Sequence, residues 1–336
     1  MNELKIAIIS VYMGRPPVYF KAWVESCRLN DSIDFIYVTD QNIKLDIPNI
    51  KVIKASLDEL KHKASKLLGF NVSLESPFKL CDYKPMYGLL FQEYLSAYDY
   101  WGHCDIDLIW GDLRSFVNTY DLNQYDKFLP LGHLSLYRNS YENNRRFMEK
   151  VEGLSDYKKV YTSEESYLFD EVAIPKIYQR HGSYFEKIIF ADIWPSKKRY
   201  TMCSFLKYYQ SIYNEFQHRC HPVNFKQQIF MWEKGKIYQY MIDKGEIKRR
   251  EFLYIHIQKR NWKMVGEYSD RMIVSNNMVK SVDSDDFCEL IKKYNHYSFW
   301  QDTFDDLNEF VLHCWNWFKK RVLHNSTKKI VVEKQK

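Results

Sequence analysis

Tyr98-Asp99-Tyr100-Trp101-Gly102-His103-Cys104-Asp105-Ile106-Asp107 is an apolar, aromatic run that ends in two carboxylates one residue apart. Its composition reads as a buried strand. Residues i and i+2 of an extended segment point to the same side, so Asp105 and Asp107 share a face where the strand runs out. Two carboxylates held that close repel unless something cationic sits between them. A divalent ion answers this need, since Mg²⁺ and Mn²⁺ prefer oxygen ligands and Mg²⁺ commonly shares its shell with a phosphate.

Working outward, Lys5 to Tyr12 is a β-branched run expected to be a buried first strand, broken by Gly14-Arg15-Pro16-Pro17. Tyr19, Phe20, Trp23, Val24 and Cys27 recur at helical spacing. Ser32 to Asp40 and Ile50 to Ile53 read as a second and third strand. Ser56 and Glu59 form a capping box for a helix that ends at Leu68, before Gly69. Strands alternating with helices predict a mainly parallel α/β sheet. Ligands of such sheets bind beyond the carboxyl ends of the strands, where Tyr12, Asp40, Asp105 and Asp107 would lie.

Pro85 suits the first turn of a helix that Met86, Leu89, Leu90 and Tyr94 continue. That helix start, with Lys84 beside it, is either a phosphate site or a plain cap with a solvated lysine. Tyr125 to Leu131 reads as a strand and Asn139 to Val151 as a helix. Residues 154–222 show few periods and are expected to form the acceptor side of a cleft, with Asp170 and Glu171 among their acids. Two further strands, Lys236 to Ile242 and Arg249 to Gln258, are joined by Asp243-Lys244-Gly245-Glu246. His256 and Gln258 face away from the aliphatic side of the second, and Lys259 and Arg260 follow. A histidine and two cations at a strand end suit a phosphate and metal site, although a strand histidine is also a common structural residue.

The whole chain bounds these readings. Its 336 residues, 46% hydrophobic and 27% charged, can build a real globular core. No GxGxxG, GxxxxGK[ST] or GxSxG occurs, which argues against dinucleotide, P-loop and serine-hydrolase sites. Seven scattered cysteines with no CxxC fit reduced thiols in a cytoplasm. The net charge of +6 resides in residues 319–336, where seven lysines and arginines face Glu333 alone, so the body offers no nucleic-acid surface. Phe304, Leu307, Val311, Trp315, Phe318 and Val322 form an apolar stripe just before that tail. This predicts a C-terminal amphipathic helix on an anionic membrane surface, or a helix packed on the core. No stretch approaches a membrane span. The expected division is a catalytic domain over residues 1–265 and a helical extension with a basic tail over 266–336.

Three blocks carry a resemblance: K-x-C-D-x-K-P-x-x-G at Lys79 to Gly88, W-G-x-x-D-x-D at Trp101 to Asp107, and H-x-Q-K-R at His256 to Arg260. With them the chain resembles, over residues 4–262, the GT-A glycosyltransferases of bacterial capsule and O-antigen gene clusters. The resemblance implies a GT-A (Rossmann-like) fold with a mixed, mainly parallel sheet flanked by helices. It implies Mn²⁺ or Mg²⁺ held by Asp105, Asp107 and His256. Tyr12, Asp40, Asp82 and Lys84 would hold a nucleotide, and Gln258, Lys259 and Arg260 its diphosphate. The implied reaction moves a sugar from a nucleotide-sugar donor, first of all a UDP-hexose, to a lipid-linked or oligosaccharide acceptor. The implied place is cytoplasmic, on the inner face of the cytoplasmic membrane. An inverting enzyme would need a base for the acceptor hydroxyl, and Asp170, with Glu171 beside it, is the candidate. Two other classes stay open. Another metal-dependent phosphate enzyme would want a third carboxylate, for which Asp112 is the near candidate. A non-enzymatic membrane-associated scaffold would have no use for the cluster.

Overall fold

The computed structural model describes residues 3–193, 202–203, 228–258, 262–275, 278–294 and 311. The first strands are those that the β-branched runs predict: β1 (Ile6–Val11), β2 (Asp34–Thr39), β3 (Ile50–Lys54) and β4 (Tyr100–Cys104). They lie side by side and parallel. After the two aspartates comes the short β5 (Leu108–Trp110). Strands β6 (Lys127–Phe128), β7 (Leu134–Arg138) and β8 (Tyr184–Phe185) complete the first sheet, in the order β3-β2-β1-β4-β7-β6-β8. Strand β7 runs antiparallel to β4, so the expected mixed, mainly parallel sheet is present. Its two faces are both covered. Ile8, Trp23, Phe35 and Trp110 fill one side, and Ile9, Ile36, Leu60, Leu90 and Trp101 the other. Burial on both faces is why these strands read as continuous apolar runs rather than alternating ones.

The capping box forms as its spacing predicts. Glu59 N donates to Ser56 Oγ at 3.2 Å, Ser56 N donates to Glu59 Oε2 at 2.6 Å, and Gly69 closes the helix Leu57–Leu68 at φ +76°. Other expectations are corrected. The helix expected from Pro85 to Tyr94 is a chain of one-turn pieces between Pro77 and Tyr94. Within it Gly88 lies flat on the Trp101 indole, where a Cβ would come within 2.4 Å of Cε2. The strand expected to reach Leu131 stops at Phe128, because Leu129 turns the chain at φ +75°. The helix expected over Asn139 to Val151 is a 3₁₀ segment, Asn143–Met148. A helix that the irregular region conceals spans Phe169–His181, with Pro175 at its middle.

A second sheet holds the site. It is ordered β10-β9-β14-β5, from β9 (Ala191–Ile193), β10 (Met202–Cys203) and β14 (Tyr254–His256). A third sheet contains β11 (Gln228–Glu233), β12 (Lys236–Asp243), β13 (Glu246–Phe252), β15 (Lys263–Val265), β16 (Arg271–Val274) and β17 (Met278–Ser281). The expected strand from Arg249 to Gln258 is therefore two, β13 and β14, in different sheets. Leu253 between them donates to Ile189 O and accepts from Gly111 N, each at 2.8 Å. The third sheet takes strands from both sides of residue 265. Leu290 and Ile291 of the helix Phe287–Tyr294 pack on it. No helix among the described residues is long and apolar enough to cross a membrane. The amphipathic stripe and basic tail lie, but for Val311, outside the described residues.

Lys127 is a buried cation at the end of this core. Its ammonium donates to Leu129 O and to Ser135 Oγ, the latter at 2.9 Å, and so holds the left-handed turn at Leu129. Burial brings its pKa down to about 7, against the pull of Asp170, Glu171 and Glu186. The unfolded chain then binds the proton more tightly than the folded one, and this group's contribution to stability rises from about pH 7 upward. A Lys127→Met variant lacks that rise. Urea unfolding of both proteins at pH 7 and pH 9 should show the gap moving in favour of the wild type by about 2 to 3 kcal/mol, two pH units at about 1.4 kcal/mol each. A constant gap would mean that Lys127 keeps one charge state.

Candidate metal site and cleft

The two aspartates are held at the carboxyl edge by backbone bonds on either side. Asp105 N donates to His133 O at 3.1 Å, and Asp107 O accepts from Ile257 N at 2.8 Å. Strand β5 starts directly after Asp107 and runs antiparallel to β14, with His256 opposite Leu108. That register brings His256 Nε2 to 3.4 Å from Asp107 Oδ2. Asp105, Asp107 and His256 each offer one ligand atom within 4.8 Å of the others. The three residues expected as metal ligands are thus brought together.

The test of whether a cation fits lies in Asp107. Its side chain is 1% exposed, and neither carboxylate oxygen has a hydrogen-bond partner. The 3.4 Å contact with His256 is an ion pair too long for a good hydrogen bond. A carboxylate withdrawn from water without such partners is costly. Two carboxylates and an imidazole can hold Mn²⁺ or Mg²⁺, and an ion there would satisfy Asp107.

A cleft of about 540 Å³ opens over these residues, lined by Tyr12, Tyr19, Phe78, Cys81, Lys84, Asp105 and Asp107 among others. Burial pushes the Tyr19 phenol pKa up, helped by the charges of Asp107, Tyr12 and Asp105. Lys84 lines the cleft, but its ammonium is committed: it meets Asp105 Oδ1 at 2.7 Å, Gly132 O at 2.8 Å and Asp170 Oδ2 at 3.7 Å. Burial opposes its charge, yet Asp105, Cys81 and Asp170 outweigh burial and hold its pKa well above the usual lysine range. In place of the expected helix start, Lys84 opens the one-turn 3₁₀ segment Lys84–Met86.

Asp82 does not reach the cleft. It is fully buried, paired to Lys79 at 2.9 Å, and accepts from Tyr167 N at 3.0 Å and Phe169 N at 2.9 Å. It anchors the start of the helix that carries Asp170. Asp170 is brought to the site, though behind Lys84 rather than on the cleft wall, and is 3% exposed. Burial pushes its carboxyl up to about 8, against the lowering effect of Lys84. Gly132 packs so close that a Cβ there would come 2.1 Å from Asp170 Oδ2. Glu171 accepts from Gly132 N at 3.1 Å and is partly exposed. Asp40 is exposed and accepts from Gly14 N at 2.8 Å, which shapes the loop after Tyr12. Lys259 and Arg260 lie outside the described residues.

Gln258 turns away from the cleft to a residue that sequence reasoning missed. Its Nε2 donates to Asp192 Oδ1 at 2.9 Å, and Asp192 Oδ2 lies 2.9 Å from His256 Nδ1. Burial disfavours charge on His256, but Asp192 and Asp107 overcome it and raise its pKa well above the ordinary histidine value. His133 was also missed: it stacks on His256 with ring centroids 4.4 Å apart and receives or gives a 2.7 Å hydrogen bond at Tyr254. The signal for Asp192 was a single acid inside the apolar run Phe190-Ala191-Asp192-Ile193-Trp194, since a buried charge needs a partner. Asp112, the candidate third carboxylate, is spent elsewhere, capping the helix Leu113–Thr119 and meeting Lys236 at 3.2 Å.

Residues 8–283 match a family described as a family of unknown function, DUF6625. Among curated proteins nothing matches. Solved structures similar to the chain include the galactosyltransferase LgtC in complex with donor and acceptor sugar analogs. It is 12% identical, with 65% of this chain and 84% of that one covered and a TM-score of 0.39. Mouse xyloside xylosyltransferase 1 is 9% identical, with 75% and 97% covered and a TM-score of 0.42. GlyE of Streptococcus pneumoniae TIGR4 is 12% identical, with 55% and 45% covered and a TM-score of 0.31. Likenesses at this level add no argument to the geometry.

The orphaned carboxylate makes a crossover measurable. Without divalent ions, Asp107→Asn should be more stable than the wild type by about 1 to 3 kcal/mol, because a buried carboxylate with no hydrogen bond and only a long ion pair is gone. With Mn²⁺ at about a thousand times its dissociation constant the wild type should gain about 4.1 kcal/mol and overtake the variant. Thermal melts of both proteins with EDTA and with Mn²⁺ check this, and parallel shifts in the two would remove Asp107 from any cation site.

Proposed function

The chain belongs to the DUF6625 family, whose function is unknown, and we propose that it is a metal-dependent glycosyltransferase of the GT-A type. The observation that carries this reading is the buried Asp107, without a hydrogen bond, which lines the cleft with Asp105 and is grouped with His256. The cleft lies at the carboxyl edge of a mainly parallel sheet, where nucleotide ligands of α/β folds bind. Lys84, Asp105, Asp107 and His256, drawn from the three sequence blocks, lie together beside it. On this reading the donor is a nucleotide-sugar, a UDP-hexose first, and the acceptor is a lipid-linked or oligosaccharide chain of a surface polysaccharide.

When bound, a divalent ion would supply Lewis-acid stabilisation of the departing nucleoside diphosphate. Asp105, Asp107 and His256 would hold it. Lys84 keeps Asp105 and Asp170 at fixed distance and adds positive charge beside the cleft. Tyr12 and the loop that Asp40 braces would flank the nucleotide. Lys259 and Arg260, directly after the H-x-Q segment, are proposed to meet the diphosphate. Of the two carboxylates expected to serve the acceptor hydroxyl, Asp170 is turned to Lys84, and Glu171 has the solvent access that the task requires. The commitment of Asp112 to Lys236 disfavours a two-metal nucleotidyltransferase or phosphohydrolase. A scaffold would have no reason to keep an unpaired buried carboxylate under a cleft.

Thermal melts with UDP and GDP, each with and without Mn²⁺, test the reading. UDP should stabilise the protein only with the metal, and Asp105→Asn should abolish that gain and lower sugar transfer or donor hydrolysis from UDP-galactose or UDP-glucose by at least about a hundredfold. Unchanged turnover in the variant would sink the metal assignment, and cleavage of a generic phosphate ester would point to the phosphohydrolase class. We also propose that residues 300–336 bind anionic membrane on the cytoplasmic side, from their apolar stripe and polybasic tail. A chain ending at residue 299 should lose sedimentation with phosphatidylglycerol vesicles, and equal binding by both forms would reject the anchor.

A further inference from the structure

Asp192 is fully buried in β9, which runs parallel to β14 with Asp192 opposite His256. One carboxylate reaches two residues of the same segment: Oδ2 lies 2.9 Å from His256 Nδ1, and Oδ1 accepts from Gln258 Nε2 at 2.9 Å. Gln258 sits just past the strand in the left-handed region, at φ +53°. A non-glycine residue in that region must be held there by its surroundings. The ring of His256 has its other nitrogen, Nε2, facing Asp107.

We propose that Asp192 is a positioning residue for the metal site, and that it sets the histidine's tautomer. With Nδ1–H donated to Asp192, Nε2 is the nitrogen that gives up its proton and offers its lone pair to a cation held by Asp105 and Asp107. Such outer carboxylates commonly orient metal-bound histidines and raise their basicity. The second bond, to Gln258, fixes where the chain leaves β14 toward Lys259 and Arg260. The inference rests on the metal reading of Asp105, Asp107 and His256.

A competing use of the same atoms is a second cation held by His133, Asp192 and His256, whose ligand atoms also lie within 4.8 Å of one another. Ring geometry argues against it. The two imidazoles are stacked, 4.4 Å apart at 20°, and imidazole lone pairs lie in the ring plane. An ion between stacked rings would meet their faces. Nδ1 of His133 is already engaged with the Tyr254 hydroxyl at 2.7 Å, and Nδ1 of His256 with Asp192. His133 therefore packs against His256 and leaves the orienting role to Asp192.

The decisive variant is Asp192→Asn. Its amide can donate to His256 Nδ1, which moves the ring proton to Nε2 and blocks the metal-facing lone pair, while its carbonyl can still accept from Gln258. Mn²⁺ titration followed by electron paramagnetic resonance should show affinity weakened by about 10- to 100-fold in Asp192→Asn, with a melting temperature in EDTA close to that of the wild type. Wild-type affinity in Asp192→Asn, alongside lost affinity in Asp107→Ala, overturns the proposal and leaves the metal site standing. Mn²⁺ binding that survives Asp107→Ala, or that the wild-type protein lacks, overturns both. Should Asp192→Asn not fold, the ¹⁵N spectrum of His256 in the wild-type protein with Mg²⁺ decides. A proton on Nδ1 supports the assignment, and a proton on Nε2 overturns it.

Discussion

A carboxylate taken out of water must find a cation or hydrogen-bond donors, and the cleft of this protein is organised by how four buried or half-buried aspartates meet that demand. Asp82 takes Lys79 and two backbone amides. Asp105 takes Lys84, and Asp192 takes His256 and Gln258. Only Asp107 has no hydrogen bond among the described residues. These pairings also build the architecture. The amides that Asp82 binds belong to Tyr167 and Phe169, so the helix Phe169–His181 begins where Asp82 is, and Asp170 is delivered to Lys84 as a result.

The same demand explains why the edge of the sheet is closed by distant parts of the chain. Strand β5 is only Leu108–Trp110, too short to hold itself, and it is ordered by β14 from far along the sequence. Gly111 permits that approach, since a Cβ there would come 2.6 Å from Phe252 O. Strand β9 then docks on the far side of β14 and carries Asp192 with it. The site is thus made at a junction of sheets, where a strand that leaves the central sheet meets two that never enter it.

How far the sequence discloses this follows from the range of each interaction. Strands β1 to β4 and the helix Leu57–Leu68 were legible because their signals are local: β-branched runs, a capping box at Ser56 and a glycine at position 69. The meeting of Asp105, Asp107 and His256 was legible because strand-end residues of an α/β sheet collect on one edge. The block Lys79 to Lys84 was legible as ionic but not as buried. Its spacing is the same whether Asp82 faces a ligand or Lys79, and it is Lys79 that it faces. Asp192 was not legible because its partner is His256, 64 residues away and in a region without periodicity. Pro175, at its middle, hid the helix Phe169–His181.

Charge balance at the floor of the cleft then bears on what it can receive. Lys84 answers Asp105, and His256 answers Asp192, which leaves Asp107 as a surplus negative charge under the cleft. On the metal reading His256 binds as the neutral imidazole, so a divalent ion replaces one proton and the floor turns from anionic to neutral. An anionic diphosphate is repelled by the first state, and in the second it is drawn by the ion without that repulsion. In the sequence Lys259 and Arg260 follow Gln258 directly. A site so poised has its chemistry set by the ion it admits, and Asp107, with no hydrogen bond and only a long ion pair to His256, is the feature that makes admission of a doubly charged ion favourable.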